Sequence, residues 1–497
     1  MDIRRNPALL LSLLAAVLFV GIGSIHLGAP GAYYDELHQA PASFVWLGRD
    51  AGLFARGEVA GVPLFNMTYS GAIKSHLYGA WMWSSGQPFT LESWRWLGLL
   101  LGALGIVAFG SLAASCLPWR RVGVVLALVA TDVTLVVGCR HDWGPIALAF
   151  LLRMTLLGLC LRAPGSRPRL GGAIFGFLLG FLVYEKLSSL VVVMPLLVLW
   201  FAQPARRNLR NGLPVLFGAL AGALPVVLWN LQWLFGAGKV ASLGQTGNPA
   251  THGLGNLLTM WCDVAVMPQG GVVQEFVFGV AVPGWMEGLE ALALVMALAG
   301  ALYGGGKWVR PCALGVLLTV LGLWALPSRT GVHHWVLATP WAVLAVACAR
   351  GRALGWVIGA WLLLRAAAVF MLAMTLVRGT ASARWSPELH RLQAFAAASA
   401  EGDVFLAGDW GVATQIACGA QGREGVVHEC YREARLPPLA TARRVFLVGL
   451  QPPSEVAPEA FARLREALAA AKWREVANSV ELQGLRDLEV ATFVRGD

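Results

Sequence analysis

The sequence predicts a polytopic α-helical membrane bundle of about eleven transmembrane helices, closed by a small α/β domain on the non-cytoplasmic side. Three observations carry this. First, 57% of the 497 residues are hydrophobic and only 13% are charged, against roughly 25% charged in an average soluble chain. Second, the apolar residues fall into long runs separated by short basic clusters. Third, the pattern changes after about residue 378 to short buried runs of strand type. The 21 Trp and 58 Gly suit the same class, since Trp anchors interfaces and Gly lets membrane helices pack closely.

The candidate spans are 7–28, 95–116, 121–138, 143–161, 170–184, 187–202, 212–235, 286–304, 308–326, 334–349 and 352–376. The first follows Arg4 and Arg5 and exceeds the roughly 7–15 apolar residues of a cleavable signal core, so it reads as a retained signal anchor. The stretch 71–84 is apolar but brief and carries Lys74 and His76, which suits a re-entrant or interfacial helix. With the N-terminus cytoplasmic, the inner segments hold Arg4, Arg5, Arg120, Arg121, Arg162, Arg167, Arg169, Arg206, Arg207, Arg210, Lys307, Arg310, Arg350 and Arg352, with Asp2 the only acid. The short outer turns hold only Arg140, Lys186 and Arg329. This is the positive-inside asymmetry, and it places a multi-pass chain in the cytoplasmic membrane. An odd number of spans puts the tail outside, in the periplasm or extracellular space. The division is then a transmembrane unit, 1–378, and a soluble extracytoplasmic unit, 379–497.

The net charge of +10 does not indicate nucleic acid, because the basic residues lie between apolar runs and no nucleic-acid motif is present. The eight Cys have no metal-ligand spacing. Cys418 and Cys430 fall in the tail and could form a disulfide if it is extracytoplasmic. Two outer loops, 29–94 and 236–285, are long and rich in Trp, Gly and Pro, and loops of that length are usually functional. In the tail, 403–407 and 444–449 read as buried strands, 458–473 as an amphipathic helix and 488–494 as a further strand. Asp409 and His428 read there as surface or loop residues.

The ionisable residues gather on one side. Asp35 and Glu36 follow the first span. Lys74 and His76 lie in the short helix. Arg140, His141 and Asp142 follow the third span, Glu185 and Lys186 separate the fifth from the sixth, and Arg329, His333 and His334 precede the tenth. Any one of Glu36, His141 or Glu185 is most simply a solvated span end. Together the residues describe a polar cavity opening outward, with cations suited to a phosphate and a carboxylate suited to act as a base. Asp132, Arg153 and Arg365 lie within spans, and Asp132 could pair with a cation in the bundle.

The segments YYDELHQAP (33–41), YSGAIKSHLYG (69–79), RHDWGPIAL (140–148), YEKLS (184–188), LPVVLWNL (224–231) and GVHHWVLATP (331–340) occur in order along the whole membrane region. In this they resemble the GT-C superfamily of membrane glycosyltransferases, of the protein O-mannosyltransferase and lipid A aminoarabinose transferase type (family 39-like). The resemblance implies a GT-C-like fold and transfer of a sugar, with inversion, from a polyprenyl-phosphate donor to an acceptor outside the cytoplasmic membrane. It implies a catalytic carboxylate at Asp35, with Glu36 beside it. It implies contacts to the donor phosphate from Lys74, Arg140, Lys186, Arg329, His333 and His334. No cofactor is required; a divalent metal on Asp35 and Glu36 is compatible with the pattern. The loop 236–285 carries no strong signature, which leaves the acceptor open among glycan, lipid and protein. The other readings of the residues are a transporter or lipid flippase, and a scaffold whose tail binds a partner.

Overall fold

The structure is a computed structural model that describes residues 7–49, 53, 57–59, 61–163, 167–240, 252–326 and 331–496. Arg329 and the side chain of His333 lie outside the described residues, as do Arg4 and Arg5.

Each apolar segment becomes a helix or a bent pair of helices. The first is α1 (Pro7–Gly23). The first outer loop holds α2 (Tyr34–Leu37), a 3-10 run Ala40–Leu47, and the strands β1 (Gly57–Val59), β2 (Val62–Met67) and β3 (Ser70–Gly71). It ends in α3 (Ile73–Ser85), the short helix expected at 71–84. The bundle continues through α4 (Leu91–Ala113), α5 (Trp119–Ala130), α6 (Val133–His141), α7 (Ala147–Leu161), α8 (Pro168–Glu185) and α9 (Leu190–Phe201). Then come α10 (Leu209–Gly222), α11 (Leu224–Ala237), α12 (Leu254–Val266), α13 (Gly271–Phe278), α14 (Gly284–Gly304), α15 (Val309–Trp324), α16 (Val332–Trp335), α17 (Thr339–Cys348) and α18 (Arg352–Arg378).

Among the described residues, four helices are long and apolar enough to cross a bilayer: α4, α8, α14 and Leu354–Arg378 of α18. The number rises to six if the pairs α5/α6 and α10/α11, bent by 59° and 61°, each count as one span. This is fewer than the expected eleven, and the reason is length. The remaining apolar helices run only 10–17 residues, about 15–26 Å at 1.5 Å per residue, against a hydrocarbon core of ~30 Å. Asp132 makes the first bend: its carboxylate accepts from the Leu135 backbone N–H at 3.0 Å and starts α6 where α5 has ended. The second bend falls at Ala223, just before Pro225 in the first turn of α11. The pair α8/α10 shows how the bundle packs. A Cβ on Gly176 or Gly180 would lie 2.0 Å from the carbonyl oxygen of Val215 or Ala219, so only glycine lets these backbones approach so closely.

In the first outer loop β1, β2 and β3 form a small antiparallel sheet that the sequence pattern does not announce. The tail holds α19 (Glu388–Ala397), β4 (Asp403–Ala407), α20 (Val412–Gly419), β5 (Val427–Glu429), β6 (Arg444–Leu450), α21 (Pro458–Ala470), β7 (Trp473–Val476) and β8 (Leu488–Arg495). The sheet order is β5-β4-β6-β8-β7, with β5, β4 and β6 parallel and β8 and β7 antiparallel. The expected strands and helix are present, with two differences. The helix stops at Ala470 and Trp473 opens β7, while the short β5 was unforeseen. Both faces of the sheet are covered: Phe405 and Ala407 pack under α20, and Val404 and Leu406 under α21. Cys418 and Cys430 are free, buried thiols rather than a disulfide. Cys418 packs against the first outer loop and Cys430 in the cluster under α21.

This sheet domain is seated on the first outer loop. Gln415 donates to the Ala32 carbonyl at 2.8 Å, and the Gln421 side chain brackets the backbone of Phe89. Gly31 is required at the contact, because a Cβ there would come within 1.8 Å of the Ser386 carbonyl oxygen.

Candidate active site

The loop between α1 and α4 brings two adjacent carboxylates to the top of the bundle, and α2 separates them. Successive helical residues point about 100° apart. Glu36 therefore turns inward and is fully buried, while Asp35 stays partly exposed. Glu36 accepts from Arg95 through Oε1 at 2.6 Å and Oε2 at 2.8 Å, and His141 Nδ1 lies 3.5 Å from Oε2. Burial pushes the Glu36 carboxyl up. The Arg95 charge and hydrogen bonds, helped by His141, outweigh this and hold it at about 2. Arg95 uses its other N–H groups on the carbonyls of Leu27, Pro30 and Gly31, tying the first loop to α4.

Asp35 is the opposite case. Burial raises its carboxyl to about 6, opposed by the positive charge of Lys186. Burial, aided by Arg153 and opposed by the carboxylates of Asp142, Asp35 and Glu185, lowers the Lys186 ammonium to about 7. Tyr33 and Tyr69 both feel the Asp35 charge, and Tyr69 is lifted to about 12 by burial and then by Asp35. His38 Nδ1 donates to the Asp35 backbone carbonyl at 2.7 Å.

The turn 140–147 is a structural knot. Arg140 gives its two terminal nitrogens to the carbonyls of Gly23, Ile25, His26 and Ala29. Asp142, in the left-handed region at φ 49°, caps α7 by accepting from Ile146 at 2.6 Å and Ala147 at 2.8 Å. Its other oxygen is 2.8 Å from Lys74 Nζ, which also sits 3.9 Å over the Trp94 ring. Lys186 donates to the Gly144 carbonyl, and Ser70 bridges to Lys186 across the loop. Both Glu185 carboxylate oxygens are buried without a hydrogen bond. His334 is close enough to Lys186 to sense its charge.

The structure thus brings Asp35, Glu36, Lys74, Arg140, Lys186 and His334 into one network. Arg95, which holds Glu36, was missed because it opens an apolar run and looked like a span boundary. Asp142 and Glu185 are among the outer-face charges of the sequence, but the pairing of Asp142 with Lys74 is not visible there. Arg95 donates to both oxygens of Glu36, so a divalent ion on the Asp35–Glu36 pair would share that carboxylate with the guanidinium. Among the described residues no three His, Cys, Asp or Glu side chains gather as metal ligands.

A second charged group lies within the bundle. Arg365 Nε is 2.7 Å from Glu290 and its NH1 is 3.7 Å from Asp132, so the cation beside Asp132 is Arg365. Trp361 also donates to Glu290, at 2.5 Å.

No family model and no curated protein matches the chain by sequence. Solved structures do match in fold. The crystal structure of ArnT from Cupriavidus metallidurans bound to undecaprenyl phosphate is 12% identical, with a TM-score of 0.60, over 97% of each chain. The same protein in its apo state is 12% identical, with a TM-score of 0.57, over 96% of this chain and 97% of that one. The Archaeoglobus fulgidus oligosaccharyltransferase, tethered with an acceptor peptide, matches at 12% identity and a TM-score of 0.45, over 88% and 68%. This chain therefore shares the fold of the ArnT structures over nearly the full length of both.

Proposed function

We propose that this chain is a glycosyltransferase that moves a sugar, with inversion, from a polyprenyl-phosphate donor to an acceptor at the outer face of the cytoplasmic membrane. The observation that carries the reading is the contrast between adjacent carboxyls. Glu36 is sealed by Arg95, whereas Asp35 is partly open, has its pKa raised by burial to about 6 and faces Lys186. A base is most useful when its pKa lies near the operating pH. The fold likeness to a protein bound to undecaprenyl phosphate supports a lipid-phosphate donor.

In this mechanism Asp35 takes the proton of the acceptor hydroxyl as that oxygen attacks the anomeric carbon. The bond to the donor phosphate breaks on the opposite side, and its electron pair stays on the phosphate. Lys186 uses one donor on Gly144 and has others to offer the phosphate as its charge grows, which is stabilisation specific to the transition state. Arg329, His333 and His334 complete the proposed phosphate contacts from the segment before α17. Arg140 and Lys74, already engaged by carbonyls and by Asp142, hold the frame.

The two shifted groups set a pH profile. Below about pH 6 Asp35 is protonated and cannot accept; above about pH 7 Lys186 loses its charge. Transfer rate against pH is expected to be a bell with its maximum between these limbs. A flat profile from pH 5 to 9 would remove both assignments.

The membrane arrangement belongs to the same proposal: all eleven segments cross, the shorter ones at thinned or tilted positions, with the N-terminus cytoplasmic and the sheet domain outside. In a Cys262→Ser background, a membrane-impermeant maleimide should label Glu424→Cys in intact cells and not Arg210→Cys. The reverse labelling would invert the topology. Transport is the second reading with an observation behind it, the buried Asp132–Arg365–Glu290 group, since transporters keep ionisable residues deep in the bundle. Substrate translocation in proteoliposomes without covalent transfer would favour it.

A further inference from the structure

The sheet domain has a crevice where its chain path reverses, and that crevice opens onto the first outer loop. Strands β4 and β6 are adjacent and parallel. From the carboxyl end of β4 the chain enters α20 and reaches β5 on one side. From β6 it enters α21 and proceeds to β7 and β8 on the other. Helices α20 and α21 cover opposite faces, so the loops leaving β4 and β6 diverge. Such a point is where open α/β sheets bind ligands.

Asp409 ties the two loops together, accepting from the backbone of Trp410 at 2.6 Å, Val456 at 3.1 Å and Ala457 at 3.0 Å. Between them lies a cavity of about 250 Å³, walled by Trp410 after β4, Ser454 and Val456 after β6, and Tyr33 and Arg384 from the facing segments. Ser454 Oγ is buried, 5% exposed as a residue, and has no hydrogen-bond partner, although buried hydroxyls almost always have one. Tyr33 is two residues from Asp35 and within reach of its charge.

We propose that this cavity is the acceptor subsite and takes a single sugar ring bearing one carboxylate or phosphate group. The proposal rests on the glycosyltransferase reading and names its acceptor class. Trp410 and Tyr33 put aromatic rings in the wall, suited to the apolar side of a pyranose, and the Tyr33 ring is held by Trp385 and Phe276. The planar fork of Arg384 matches an oxyanion, and the unpaired hydroxyl of Ser454 matches a ring hydroxyl. The volume is below the roughly 300–1,000 Å³ of sites for larger ligands, which favours one ring over an extended chain.

The test is ligand-observed NMR titration of the full chain in nanodiscs with glucuronate and, separately, glucose. Wild type is expected to bind glucuronate at least tenfold more tightly than glucose. Arg384→Gln should erase that preference, and Ser454→Ala should weaken both sugars severalfold. Competition by a glucuronosyl glycolipid in the nanodisc would assign a lipid-borne acceptor, and its absence a soluble one; both support the subsite. Equal wild-type affinity for the two sugars, or a preference that survives Arg384→Gln, overturns it. Glucuronate binding without transfer from any donor would defeat the transferase reading alone.

Discussion

Glu36→Gln and Arg95→Met are each expected to lower the stability of the fold by about 3–5 kcal/mol, the range for breaking one side of a buried ion pair. Both side chains are fully buried and meet through two short bonds. Arg95→Met leaves a carboxylate with only His141 nearby and frees the carbonyls of Leu27, Pro30 and Gly31. Glu36→Gln leaves a guanidinium whose charge lacks its counter-ion. The double variant Glu36→Gln/Arg95→Met should recover part of the loss, because the residual cost comes from the stranded charge and not from the pair itself. Thermal unfolding in detergent separates these cases. Single variants that melt with wild type would show that the pair does not hold the first outer loop to α4.

Asp35→Asn should have the opposite profile: unchanged folding and a transfer rate lower by about 10²–10⁴, the usual contribution of a positioned general base. The side chain makes no ion pair among the described contacts, so its amide isostere disturbs little beyond the charge facing Lys186. With the base gone, the acidic limb of the pH profile should vanish as well, leaving whatever rate is set by Lys186. A variant that retains full rate would move the base elsewhere in the cavity.

Much of this arrangement was legible in the sequence because the signals were local. Apolar runs of 15–25 residues can be little else than bundle helices, and runs such as 403–407 and 444–449 have the length and β-branched or aromatic content of buried strands. The sheet β1–β3 escaped notice because its strands are two to six residues long and carry Pro63 and Asn66. The division between Asp35 and Glu36 was illegible for a different reason. Adjacent carboxylates look alike in sequence, and only the turn of α2 and an arginine from α4 make one a fixed counter-ion and the other an accessible group. Lys74 and Arg140 were expected at the phosphate from the family resemblance. Their actual partners, Asp142 and the carbonyls at the end of α1, lie far away along the chain, and pairing at that distance leaves no local pattern.

The most direct measurement supplies the purified full chain in nanodiscs with a panel of radiolabelled polyprenyl-phosphate sugars and a crude membrane extract as acceptor. Released polyprenyl phosphate is counted for wild type and for Asp35→Asn. Wild type is expected to release polyprenyl phosphate from at least one donor, with a fall of at least a hundredfold in Asp35→Asn of equal folded yield. Equal release by the two proteins, or translocation of the donor without any release, would contradict it.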